Sequence, residues 1–154
     1  MKRILVVLGG IFAFILLVGI IGFLVLNFFG RRLDKESKAY VDEVIPIIAT
    51  SWNSKDLLDR ASPELIQVAP TEKIESLFHA FSEKLGPLRE YKGSRGDAKL
   101  GFTPQMGKIT TADYVAEAIF EKAPAKINVR TILHNGTWQI LQFYVNSEAL
   151  LPGK

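Results

Sequence analysis

His79 and His134 are the side chains in this chain best suited by type to proton transfer or metal binding. Their setting points elsewhere. A zinc site needs ligands grouped at short spacing on one or two elements, whereas these two lie far apart with no His-x-x-x-His or Glu-x-x-His pattern, and the chain has no cysteine. His79 shares its side of a helical segment with Glu75, Ser82 and Glu83 and reads as a solvated surface position; His134 abuts Asn135-Gly136 and reads as a strand-end residue. No Gly-x-Ser-x-Gly elbow, phosphate loop or dinucleotide fingerprint occurs. Asn135-Gly136-Thr137 matches a glycosylation acceptor, but a two-residue hairpin turn explains the Asn-Gly pair without it. Asp113, following Thr110 and Thr111 near the start of a strand, reads as a solvated turn carboxylate. On this reading no catalytic, cofactor-binding or metal-binding residue is assigned, no cofactor is expected, and the chain is expected not to be an enzyme.

The elements that would position any site divide the 154 residues unevenly. From Ile4 to Gly30 there is no charged residue in 27 positions, and 20 of them are Ile, Leu, Val or Phe. At 1.5 Å per residue the run is about 40 Å long, more than the roughly 30 Å of a bilayer's hydrocarbon core. Only Asn27 is polar, close enough to the end to reach the interface. A cleaved signal peptide would be shorter and would end in small residues, whereas this run closes with Asn27-Phe28-Phe29-Gly30. The expectation is an uncleaved single-pass anchor holding residues 4–30 in a lipid bilayer. Gly9-x-x-x-Ala13 within it is a candidate helix–helix contact.

Lys2 and Arg3 on one side and Arg31, Arg32, Lys35 and Lys38 on the other nearly balance for the positive-inside rule. A three-residue tail before a long apolar run is the usual layout of anchors that export the following domain. The domain is therefore expected on the extracytoplasmic (periplasmic) side of the inner membrane. Without Lys2 and Arg3, 17 basic residues face 16 acidic ones, so no broad basic field argues for nucleic acid. The local basic excess between Lys84 and Lys108 reads as a solvated hairpin.

Residues 1–30 are thus read as the transmembrane helix, 31–37 as a juxtamembrane linker, 38–148 as one α+β domain and 149–154 as a tail. Val41, Val44, Ile45, Ile48 and Trp52 recur with helical period, with Pro46 expected to kink or restart that helix. A short helix over Lys55–Ala61 follows. Thr71–Leu85 carries the clearest amphipathic stripe, Ile74, Leu77, Phe78, Phe81 and Leu85, closed by Gly86-Pro87. Beyond it the period becomes two. Strands are expected over Leu88–Ser94, Thr110–Lys122 (Tyr114, Ala116, Ala118 and Phe120 on one face), Lys126–His134 (Ile127, Val129, Thr131 and Leu133 on one face) and Thr137–Asn146. In the last, the apolar register slips at Leu141-Gln142, which a β-bulge would explain.

A helical first half, the Leu85-Gly86-Pro87-Leu88 junction and a final hairpin of Asn135-Gly-Thr-Trp-Gln-Ile-Leu-Gln-Phe-Tyr-Val-Asn-Ser147 resemble the NTF2-like superfamily, in particular bacterial members with one N-terminal membrane helix. The resemblance covers about Lys38 to Ser147 and implies helices packed on a curved antiparallel sheet of about four strands, forming a cone with an inner cavity. Family members include enzymes, ligand binders and assembly subunits. For an isomerase-type site, the resemblance implies a carboxylate and an oxyanion donor facing the cavity, with Asp97 or Asp113 and Tyr91 or Tyr114 as candidates. For a small ligand, the candidate cavity lining is Tyr114, Thr131 and Trp138. The last strand is apolar on both faces, so Leu141 and Tyr144 are candidates for covering a protein partner or a second subunit. The leading expectation is a membrane-tethered, non-enzymatic protein-interaction module in an envelope complex; the rival is a small-ligand binder or isomerase-like enzyme using the cavity.

Overall fold

A computed structural model of the protein describes residues 2–104 and 107–151, with side chains from residue 9 onward. In chain order the elements are α1 (Lys2–Ser51), α2 (Ser54–Leu58), α3 (Pro63–Val68), α4 (Thr71–Leu85), β1 (Leu88–Thr103), β2 (Gly107–Phe120), β3 (Pro124–His134), β4 (Thr137–Asn146) and a 3-10 turn over Glu148–Leu150. The four strands form one open antiparallel sheet in the order β1-β2-β3-β4. The fold is α+β.

The chain divides into two compact units, Met1–Leu33 and Asp34–Lys154. The first is helical, and its large apolar side chains from Ile11 to Phe29 are all 47–70% exposed. Apolar all round, the helix is long and apolar enough to cross a membrane. Asn27 donates its side-chain amide to the Phe23 carbonyl at 2.9 Å, one turn back, which lowers the cost of an amide in an apolar run.

In the second unit the chain is helical from Asp34 to Ser51, and the residues 31–37 that read as a linker belong to α1. Pro46 lies inside α1, which continues to Ser51. Val41, Val44, Ile45, Ile48 and Trp52 are buried as their spacing requires. Trp52 ends the helix with φ 47, a left-handed conformation rare for a bulky residue. Its indole N–H donates to the Gly86 carbonyl at 2.8 Å, which holds it there. Asn53 and Ser62 cap the two short helices through Lys55 N–H and Leu65 N–H. In α4, Ile74, Phe78 and Leu85 are buried, but Leu77 is 46% exposed. It lies about 70° from the centre of the stripe at 100° per residue, beyond what the sheet covers.

β1 runs nine residues past the expected end at Ser94, because pairing continues from Arg95↔Val115 to Thr103↔Gly107 although most side chains there are exposed. Backbone pairing needs no buried side chain, so periodicity understated it. Irregularities between Leu88 and Glu90 and between Tyr91 and Ser94 bend β1, and Gly93 adopts φ 92 in the second. The expected face of β2 is buried throughout. On β3, Leu133 is only half-buried while Ile132 is 1% exposed. The alternation breaks beside the β4 bulge, where Arg130 pairs with Gln142 and Thr131 with Ile140, leaving Leu141 as the extra residue. Asn135 and Gly136, with φ 50 and 82, make the hairpin turn.

Candidate functional site

Asp34, Lys38 and Asp42 are four residues apart and share one face of α1. That face meets β1. Asp42 Oδ1 accepts from the Tyr91 hydroxyl (2.6 Å), the Ser94 hydroxyl (2.6 Å) and the Ser94 N–H (3.1 Å). Lys38 Nζ donates to Asp42 Oδ2 (2.6 Å) and to the Ser94 carbonyl (2.8 Å). Asp34 Oδ1 accepts from the Ala98 N–H at 2.7 Å. Beneath them the Tyr114 hydroxyl reaches the Asp34 carbonyl (3.1 Å) and the fully buried Ser37 hydroxyl (2.9 Å). Gly96 permits this arrangement: a Cβ there would collide with the Asp113 carbonyl and the Tyr114 ring.

Burial opposes ionisation of Asp42, but hydrogen bonds from Lys38, Ser94 and Tyr91 outweigh it and hold its carboxyl below the usual range. Burial, then the hydrogen bond to Asp42 and its charge, push the Tyr91 phenol up. Burial raises that of Tyr114 against the bond from Ser37. Proton transfer calls for a group tuned toward neutral pH, and each of these moves away from it. The network's chemistry is that of a clasp fixing α1 to β1 and β2.

The expected carboxylate–tyrosine pairs do not converge. Asp113 and Tyr114 are adjacent on β2 and point to opposite faces; Asp113 faces outward to Arg130 Nε and, at 3.8 Å, Lys99 Nζ. Asp97 is exposed, with Lys99 Nζ at 4.0 Å. The carboxylate that Tyr91 meets is Asp42. His79 is exposed beside Glu83 at 3.7 Å. His134 Nε2 lies 3.1 Å from Glu64 at the start of α3. Burial opposes the charge on Glu64, but a hydrogen bond from its own N–H, Ser62 and His134 together hold its carboxyl low. Among the described residues, no group of three His, Cys, Asp or Glu is placed to hold a metal ion.

The space between helices and sheet is packed with rings. Trp52 lies 5.8 Å from Phe78, 5.1 Å from Phe81 and 5.2 Å from Phe120 between centroids, and Phe78 lies 6.1 Å from Phe143. Thr131 is fully buried, with its hydroxyl 3.5 Å from the Ala112 carbonyl. Trp138 is 8% exposed, and its indole N–H has no partner among the described residues. The Tyr40 hydroxyl shares that condition, its phenol pushed up to about 12 by burial.

Among the described residues, two of the grooves open to the surface bear on these candidates. One, of about 730 Å³, lies where β2 ends and β3 begins, lined by Lys92, Glu117, Ile119, Lys126, Asn146 and Leu151 among others. The second, of about 260 Å³, lies on the outer face of the sheet, between Asp113, Val115, Asn128, Arg130, Gln142 and Tyr144. Of the expected cavity lining, Tyr114 is among the residues of the second groove, and neither groove is lined by Thr131 or Trp138. Tyr144 is 61% exposed, whereas Leu141, at the bulge, is half-buried.

The clasp residues of α1 escaped sequence reasoning, although their spacing by fours was visible: Asp34 and Lys38 read as part of a charged stretch beside the membrane, and Asp42 lies inside the apolar stripe that begins at Val41. Set against family models, curated proteins and solved structures, the chain matches none.

Proposed function

We propose that this chain is a membrane-tethered protein-interaction module: an NTF2-like domain anchored by its N-terminal helix in the inner membrane, exposed to the periplasm and working by contact with an envelope protein. The carrying observation is where the polar groups are. Those that converge, Asp34, Lys38, Asp42, Tyr91 and Tyr114, serve to hold α1 on the sheet. Those that face the surface, Tyr144 and Asn128, line the outer groove beside the apolar Val115. A mixed aromatic and polar strip on a rigid sheet suits protein contact, where tyrosine contributes large area at little entropic cost.

The test is site-specific photo-crosslinking of the full chain in intact cells, with the photoreactive residue in turn at Tyr144, Val115 and, as control, Glu72 on the exposed side of α4. Adducts from 144 and 115 but not from 72 support the reading. A chain that is monomeric after mild solubilisation and yields no adduct from either position refutes it. A reporter fused at the C-terminus fixes the side of the membrane.

One observation favours a second reading as a small-ligand binder: the larger groove has a volume in the range of ligand sites, roughly 300–1,000 Å³. Line-broadening of Ile119 and Leu151 methyl resonances by a fragment mixture would support it.

A further inference from the structure

The clasp also fixes the direction of β1. Tyr91 and Ser94 meet Asp42, and Ala98 meets Asp34, so β1 runs antiparallel to the Asp34–Asp42 stretch of α1. Pairing with β2 continues for five more rungs, from Lys99↔Thr111 to Thr103↔Gly107. Phe102 thus stands about 13 Å of strand beyond Ala98. On this overhang Leu100 and Phe102 lie on the same face as Ala98, the face that is core farther along, but they are 56% and 78% exposed. Apart from the N-terminal apolar run, no large apolar side chain of the described residues is more exposed than Phe102. Lys108 pairs with Phe102 on that face and Lys99 stands next to Leu100 on the opposite one, and from Ala98 to Ala112 there is no carboxylate in the sequence. The nearest acidic groups, Asp97 and Asp113, are at 4.0 and 3.8 Å from Lys99 Nζ. In the chain, Asp34 comes four residues after Gly30, where the apolar run ends.

We propose that the β1–β2 overhang is a second membrane contact, seating Leu100 and Phe102 in the headgroup region of an anionic bilayer with Lys99 and Lys108 at the phosphates. The inference rests on the reading that the N-terminal run spans. The overhang extends past Asp34, away from Asp42, at the end of the domain nearest in sequence to that run. Apolar and aromatic groups bordered by lysines are the composition that lies in a bilayer interface, with its apolar face about 5–10 Å deep. The lysines match the negative surface of anionic lipid. The sheet fixes the overhang's direction, so its side chains need little further ordering on insertion.

The absence of cysteine allows single probes. Full-length Phe102→Cys, Leu17→Cys and Ser54→Cys, each carrying an environment-sensitive fluorophore, are reconstituted in nanodiscs containing phosphatidylglycerol and nitroxide-labelled lipid. The probe at 102 is expected to lose about half its emission to a nitroxide placed just below the headgroups, that at 17 to a deep nitroxide, and that at 54 to neither. Replacing phosphatidylglycerol by phosphatidylcholine should reduce quenching at 102 severalfold and leave 17 unchanged. If 17 is quenched and 102 is as accessible to aqueous iodide as 54, the overhang is not a membrane contact although the span stands. If 102 is shielded from iodide yet unquenched by lipid, a protein or a second copy covers it, and the proposal fails. If 17 is unquenched, the spanning reading fails first.

Discussion

Asp42→Ala removes the acceptor on which the clasp depends, and its effect follows from the donors it leaves. Tyr91 and Ser94 both lose a charged acceptor, and a hydrogen bond to a charged group contributes about 1.5–3 kcal/mol net. Asp42 keeps 33% of its side chain exposed, so water replaces part of each bond and the lower value applies. The ion pair with Lys38, itself 46% exposed, adds at most about 0.5 kcal/mol. The expected loss is about 3 kcal/mol, a large share of a typical domain's 5–15. At a urea slope near 2 kcal/mol/M, the midpoint should fall by about 1.5 M with the slope unchanged. The assay is urea unfolding of the full chain in detergent, followed by Trp52 and Trp138 emission. Because the folded carboxyl titrates below its unfolded value, the contribution is complete above about pH 4 and is lost as pH falls through the depressed value. Wild type and variant should therefore converge in acid. A loss under about 1 kcal/mol at pH 7 would refute the assignment of the clasp as what holds α1 to β1.

Gly96→Ala should lower stability by about 1–3 kcal/mol in a thermal melt, since its Cβ meets the Asp113 carbonyl and the Tyr114 ring rather than the end of a flexible chain. Asp113→Asn should cost under about 1 kcal/mol by urea unfolding, because its partners Arg130 and Lys99 are 44% and 60% exposed. Tyr40→Phe should be neutral or stabilising by up to about 1 kcal/mol in the same assay, as it removes a buried hydroxyl that has no partner.

What could be read from the chain follows the physics of each signal. Periodicity reports burial, so it found Val41 to Trp52, the inner face of β2 and the slip at Leu141, all of which press against a core. It could not find β1 beyond Ser94, where the ladder is made by backbone and the side chains are wet. It widened the α4 stripe to include Leu77, because a pattern shows which residues are apolar but not how far the opposing surface reaches. The clasp was hidden for a different reason. Its tyrosines and serine were in view on the strands, but their partners are 49 to 80 residues earlier in the chain, and only the fold brings them within reach. Asp42 looks like an ordinary i,i+4 partner of Lys38 until Tyr91 and Ser94 are seen on its other oxygen.

Sheets with free edges invite other chains to add a strand and aggregate, and this sheet has two. β4 is closed at its middle by main chain: Ile140 exchanges hydrogen bonds with the Arg60 carbonyl and the Ser62 N–H. On β1, side chains from α1 stand where a neighbouring strand would. Asp42 takes the Ser94 N–H, Lys38 supplies the Ser94 carbonyl, and Asp34 takes the Ala98 N–H. The helix thus imitates a fifth strand with three side chains spaced by fours. Anchors concentrate copies of a chain in two dimensions, where an open edge would find another copy quickly. Losing Asp34 and Asp42 together would therefore both loosen the helix and create a templating edge, so the soluble yield of that double variant should fall further than its lost stability alone accounts for.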